Sequence, residues 1–289
     1  MAESTAAPDL PPLLGAAELR RMGDGELLLV DCRHDLARPD WGATVYAAGH
    51  LPGAVFAALD RHLSGPVRPG TGRHPLPDPG DFARTLGSWG LTPDSRVVAY
   101  DQGPGAYASR LWWMLRAIGH RRVQVLDGGL AAWTATGGAL TEAPPVIMAT
   151  AVPVREFAGV VETARLQADL ATGSVTLVDA RGADRFAGQN ETIDPVAGHV
   201  PGAVNHPYAG NLSPDGRTFL AAEELAQRWQ GELQAARRAP IVAMCGSGVT
   251  ACHNLLALEL AGYRDGRLYA GSFSEWITDP RRPVATGVS

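Results

Sequence analysis

Short apolar runs, bounded by glycine, proline and aspartate, alternate along the chain with stretches whose apolar residues recur about every three to four positions. The first pattern reads as buried strands and the second as helices packed on them. In the first half, strands are expected over Leu27–Val30, Val97–Tyr100 and Val123–Leu126. Helices are expected over Ala16–Met22 and Ala106–Ala117, the latter turning Leu111, Trp112 and Leu115 inward. In the second half, strands are expected over Thr176–Val178 and Ile241–Met244. Helices are expected there over Val161–Leu170 and after Thr250, with Leu255, Leu256, Leu258 and Ala261 on the inner side. Such alternation specifies an α/β fold, a mostly parallel sheet with helices on both faces.

The pattern occurs twice. Ala48-Gly-His-Leu-Pro-Gly-Ala-Val55 returns as Ala197-Gly-His-Val-Pro-Gly-Ala-Val204, and each copy follows a strand ending in Asp-x-Arg (Asp31 to Arg33, Asp179 to Arg181). A further apolar strand ends at Asp101 in the first copy and at Cys245 in the second. A helix follows, then Gly128-Gly129 or Gly271-Ser272, then Trp133 or Trp276. A period this long means tandem domains and not a solenoid. The expected division is a first domain over 12–136, a linker over 137–154 where Gly137-Gly138 and Pro144-Pro145 break the periodicity, and a second domain over 155–285. His50 and His199 occur in both copies, only one of which has the loop cysteine, so they are read as parts of the fold. The Pro-Gly corner after each is turn chemistry.

The candidate chemistry lies at the end of the strand Ile241–Met244. Cys245 opens a loop holding Gly246 and Gly248, and a helix begins beyond it. Glycines let the backbone curl so that several N–H groups point at one place, and the helix N-terminus adds partial positive charge there. Such surroundings favour a thiolate and any anionic group the sulfur acquires. A cysteine phosphatase would need an arginine at position 251 to grip phosphate, and Ala251 stands there.

Composition narrows the picture further. The chain has 289 residues, 45% of them hydrophobic and 19% charged, which suits two soluble domains with cores of their own. A net charge of −5 without a basic block argues against nucleic acid or an anionic membrane as partner. No apolar run approaches a membrane span, and the first twelve residues show no signal-peptide or transit pattern. Three cysteines without framework spacing suit a reducing compartment, so a cytoplasmic location is expected, and no Cys/His cluster suggests a metal. Cys32 and Cys252 read as structural or core residues, Trp112 and Trp113 as packing, and His253 as solvent-facing.

The tandem halves, the paired Gly-His-x-Pro-Gly-Ala elements and Cys245-Gly-Ser-Gly-Val-Thr250 resemble the two-domain rhodanese family of sulfurtransferases over roughly residues 12–280. Within it the loop is similar to that of the 3-mercaptopyruvate branch. The thiosulfate branch typically has basic residues where this chain has Gly246 and Ser247. The resemblance implies two rhodanese-like domains, the first having lost its cysteine, with Asp101 in its place. It implies that Cys245 takes sulfur from 3-mercaptopyruvate as a persulfide and passes it to cyanide, a small thiol or a protein thiol such as thioredoxin, without metal or organic cofactor. Gly246, Gly248, Val249 and Thr250 would supply backbone contacts to the substrate. Ser247, His74 and Asp60 would form a relay that protonates the leaving enolate, and Arg185 would hold the donor's carboxylate or sulfonate. The branch usually carries a second arginine before the second Gly-His, but no arginine or lysine lies between Arg185 and His199. Thiosulfate therefore stays open as the donor, and a non-catalytic sulfur carrier or binding module is a third reading.

Overall fold

The computed structural model describes residues 10–22, 27–235 and 240–287. Residues 1–9, part of the stretch read for targeting signals, lie outside them. Two parallel sheets form, one from each copy of the repeat. The first has five strands in the order β1-β5-β4-β2-β3: β1 is Leu13–Gly15, β2 Leu27–Asp31, β3 Val55–Phe56, β4 Arg96–Tyr100 and β5 Val123–Asp127. The second has four strands in the order β7-β6-β8-β9: β6 is Thr176–Asp179, β7 Val204–Asn205, β8 Ile241–Met244 and β9 Arg267–Leu268. The registers match: Asp31 pairs with Tyr100 in the first sheet and Asp179 with Met244 in the second. Asp101 and Cys245 therefore leave equivalent carboxyl ends, where open parallel sheets place their sites.

The duplicated motifs tie each sheet to its own turn. Arg33 lies along Asp31 and donates to the carbonyl of Gly49 at 2.7 Å, and Arg181 does the same with Asp179 and the carbonyl of Gly198 at 2.9 Å. His50 and His199 are buried, stacked on Tyr46 and Phe186, with Nδ1 at 2.8 Å from the carbonyls of those same residues. Both histidines hold the turn.

Sister helices join the halves. The helix Ala108–Ala117, beginning two residues later than expected, packs against the helix Thr250–Leu260, and the main core runs across both. Every residue from Ala108 to Leu115 and from Ala251 to Leu258 is buried. The expectation of one inner face on the second helix is corrected by this contact. Its own sheet covers one side and the sister helix covers the other. His253 is corrected with it. It is fully buried, stacked on Phe219, with Nε2 3.0 Å from the carbonyl of Pro104. The segment 137–154 lies against the first half, Thr141 pairing with His50 and Thr150 donating to the carbonyl of Gly87 at 2.9 Å. No described helix is long and apolar enough to cross a membrane.

Arg110, on the first of the sister helices, is buried and, among the described residues, pairs with no carboxylate. It donates to the carbonyls of Gly248 at 3.0 Å, His74 at 3.0 Å and Leu63 at 3.3 Å, so one side chain pins the cysteine loop to the first half. Replacing it by methionine strands the buried carbonyls of Leu63 and His74, each worth about 1–3 kcal/mol when unpaired, and leaves that of Gly248 with only the Cys252 thiol as donor. Arg110→Met is expected to cost about 3 kcal/mol or more, read as a lower urea midpoint. An unchanged midpoint would contradict that assignment.

Candidate active site

Cys245 follows β8 directly and is 2% exposed. The backbone N–H of Gly248 donates to its Sγ at 3.1 Å. Gly248 has φ +78°, and a Cβ there would stand 2.3 Å from the carbonyl oxygen of Ala270, so the loop accepts only glycine at this point. The N–H of Cys245 itself donates to Ser272 Oγ at 3.1 Å. Ser272 holds φ +55°, a conformation that Gly129 adopts in the first copy at φ +53°. A non-glycine residue in this region is under strain. The repeat carried the signal, a Gly-Gly pair that becomes Gly-Ser only beside the cysteine. Cys252 is buried behind the loop, its thiol donating to the carbonyl of Gly248 at 3.3 Å, and Cys32 is buried in the first half.

The first half shows what such a loop can hold. The carboxylate of Asp101 accepts N–H groups from Gly103 at 3.0 Å, Gly105 at 3.1 Å, Tyr107 at 2.9 Å and Ala108 at 3.3 Å. The Asp101 side chain already fills that cradle, which leaves it no room for a nucleophile. Both loops face one cavity of about 270 Å³, whose walls include Asp101, Tyr107, Arg185, Cys245, Gly246, Ser247, Val249 and Thr250.

Ser247, His74 and Asp60 come together in the order expected. Ser247 Oγ is 2.7 Å from His74 Nδ1, and His74 Nε2 is 3.3 Å from Asp60 Oδ1. A carboxylate only accepts, so Nε2 carries the proton and Nδ1 receives the Ser247 hydroxyl. Ser247 lines the cavity, whereas His74 and Asp60 stand behind it. Burial, with Arg110 nearby, pushes the His74 pKa down to about 4 against the opposing pull of Asp60. The imidazole is neutral at pH 7.

Burial likewise lowers His253 to about 3, and His34, His62 and His120 shift in the same direction. The unfolded chain takes up these protons near the ordinary value of 6.5, before the folded protein does. Stability is therefore complete above that value and falls as the pH drops toward the folded values. His74 alone should cost about 2 kcal/mol by about pH 5. Urea midpoints at pH 7 and pH 5 check this, and equal midpoints would contradict the buried, neutral assignment.

Arg185 projects from the short helix Ala183–Phe186 into the cavity wall. It pairs with Glu191 at 2.9 Å and with Asp194 at 3.0 Å, and Asp184 accepts only its backbone N–H. Arg73, beside His74, enters the same wall and pairs with Asp194 from the other half. Arg181 stacks over the Phe273 ring at 4.0 Å. Sequence reasoning missed Arg73, Arg110 and Ser272. Each acts on a loop far away along the chain.

A parallel α/β repeat with a cysteine loop in one copy and an aspartate-filled loop in the other defines a duplicated domain. Comparison with known proteins identifies that domain. The rhodanese-like domain family matches residues 16–136 and again 162–279. A Pseudomonas aeruginosa protein described as "Probable 3-mercaptopyruvate sulfurtransferase" is 53% identical over 95% of this chain and 98% of its own length. The thiosulfate sulfurtransferase of Gallus gallus is 35% identical over 79% of this chain and 78% of its own. Among solved structures, the 3-mercaptopyruvate sulfurtransferase from Leishmania major superposes with a TM-score of 0.81 at 33% identity, covering 93% of this chain and 75% of that one. The chain belongs to the rhodanese family.

Proposed function

We propose that the protein is a 3-mercaptopyruvate sulfurtransferase working through a persulfide on Cys245. The Cys245 thiolate attacks the donor's sulfur, the carbon–sulfur bond breaks, and its electron pair leaves on the methylene carbon as the enolate of pyruvate. The proton on the donor's thiol passes through Ser247, with His74 as its resting place and Asp60 steadying the imidazolium, and ends on that carbon. Pyruvate departs, and the persulfide stays beside the Gly248 N–H. A thiol or cyanide then attacks the outer sulfur and restores the thiolate, a ping-pong sequence. The observation that carries the reading is the Ser247–His74–Asp60 chain, since only a carbanion-like leaving group needs a proton delivered to it.

Thiosulfate, with the same nucleophile, is the second reading. It is favoured by Arg185 sharing its guanidinium with two carboxylates and by the lack of a further basic residue before His199. Acceptors would be cyanide, small thiols or a protein thiol such as thioredoxin. Cytoplasmic residence is supported by three buried, unpaired cysteines. Turnover to cyanide with the two donors side by side tests the reading. Faster turnover of mercaptopyruvate by orders of magnitude is expected. Preference for thiosulfate would reverse the assignment, and no turnover of either would leave a carrier.

A further inference from the structure

The three members of the Ser247–His74–Asp60 chain sit on three separate segments, and one buried side chain touches all three. Leu63 follows directly on the four-residue helix Leu59–His62 that carries Asp60. His74 lies on the loop before the helix Pro79–Ser88, and Gly248 is next to Ser247 in the cysteine loop. Arg110 donates to a backbone carbonyl of each segment. Its Nε and Nη2 reach the carbonyl of Leu63 at 3.4 and 3.3 Å, Nη2 that of His74 at 3.0 Å, and Nη1 that of Gly248 at 3.0 Å. Within the first half, the N–H of Gly65 also donates to the carbonyl of Pro75 at 2.9 Å, so the Asp60 and His74 segments are fastened to each other as well. Arg110 adds the third segment, from the other half. A guanidinium keeps its N–H groups in one rigid plane, so it fixes directions as well as distances among the carbonyls it joins. The side chain is fully buried and cannot itself meet a donor molecule.

We infer that Arg110 is a positioning residue for the proton relay: by gathering the carbonyls of Leu63, His74 and Gly248 around one guanidinium it seats Ser247 on His74, and with that favours donors whose leaving carbon must be protonated. This rests on the sulfurtransferase reading and deepens it. The 2.7 Å contact between Ser247 and His74 crosses from one half to the other. A shift of about 1 Å between the halves would break it, and a misplacement of that size can cost about 10²-fold in rate.

The rival role is a bolt that only keeps the halves together, and two readouts separate the roles. Arg110→Lys keeps the charge and loses the fork. Should it not fold, Arg110→Gln keeps two N–H groups and takes its place, with rates referred to the folded fraction read by circular dichroism. The variant is expected to lower kcat with mercaptopyruvate about 10²-fold, with the donor KM within about threefold and thiosulfate turnover down less than about tenfold. Where Ser247→Ala has already removed the relay, the same substitution should cost less than about threefold more, since a group that is gone cannot be misplaced. A bolt would slow both donors alike, and its loss would multiply with that of Ser247→Ala. Undiminished mercaptopyruvate turnover, equal losses on the two donors, or multiplied losses in R110K/S247A overturn the inference. Wild type inert toward mercaptopyruvate, or a Ser247→Ala variant that slows both donors alike, would instead overturn the reading beneath it.

Discussion

Serine in place of Cys245 is expected to lower sulfur transfer by at least about 10⁴-fold with either donor, a loss of the size seen when a covalent nucleophile is removed. A hydroxyl is not ionised near neutral pH and forms no sulfur–sulfur bond. The substitution deletes one atom's chemistry and leaves the loop's hydrogen bonds with Gly248 and Ser272 able to form. Cys32→Ala, in the other half, should retain turnover within about threefold, because nothing in the account routes sulfur through it. Steady-state thiocyanate production checks both variants. Residual activity of more than a few per cent in C245S would remove Cys245 from the reaction.

Ser247→Ala should separate the two donors. Loss of a positioned proton donor typically costs about 10²–10⁴-fold, and that loss is expected with mercaptopyruvate, whose leaving enolate must be protonated. Thiosulfate releases sulfite, a stable anion needing no proton, so its turnover should fall less than about tenfold. His74→Ala should follow Ser247→Ala, since the 2.7 Å contact joins them. Asp60→Asn should do less, because that carboxylate is half exposed and 3.3 Å from the ring. Equal losses on both donors would mean that Ser247 shapes the loop and carries no proton.

Much of this architecture was legible because the chain says it twice. Matching Asp-x-Arg strand ends, Gly-His turns and glycine-flanked tryptophans align the halves, and the alignment sets Asp101 opposite Cys245. Local patterns did not show what one half does to the other. The Thr250 helix reads as one-sided until the Ala108 helix covers its outer side, and His253 is buried by that same contact. Arg110 and Gly248 are 138 positions apart, and no spacing rule joins a helical arginine to a carbonyl at that distance. Arg73 carries no signal in its local pattern, because its partner Asp194 belongs to the other half. The Ser247–His74 contact, 173 positions apart, was reached through resemblance and not through periodicity.

The central claim is that sulfur rests covalently on Cys245 between donor and acceptor. Intact-protein mass spectrometry after brief exposure to mercaptopyruvate without acceptor tests it directly, followed by peptide mapping under non-reducing conditions. The account predicts a protein heavier by one sulfur atom, with the gain confined to the peptide carrying Cys245 and lost on adding cyanide. Steady turnover with no added sulfur, or sulfur carried on Cys32 or Cys252 instead, would contradict it.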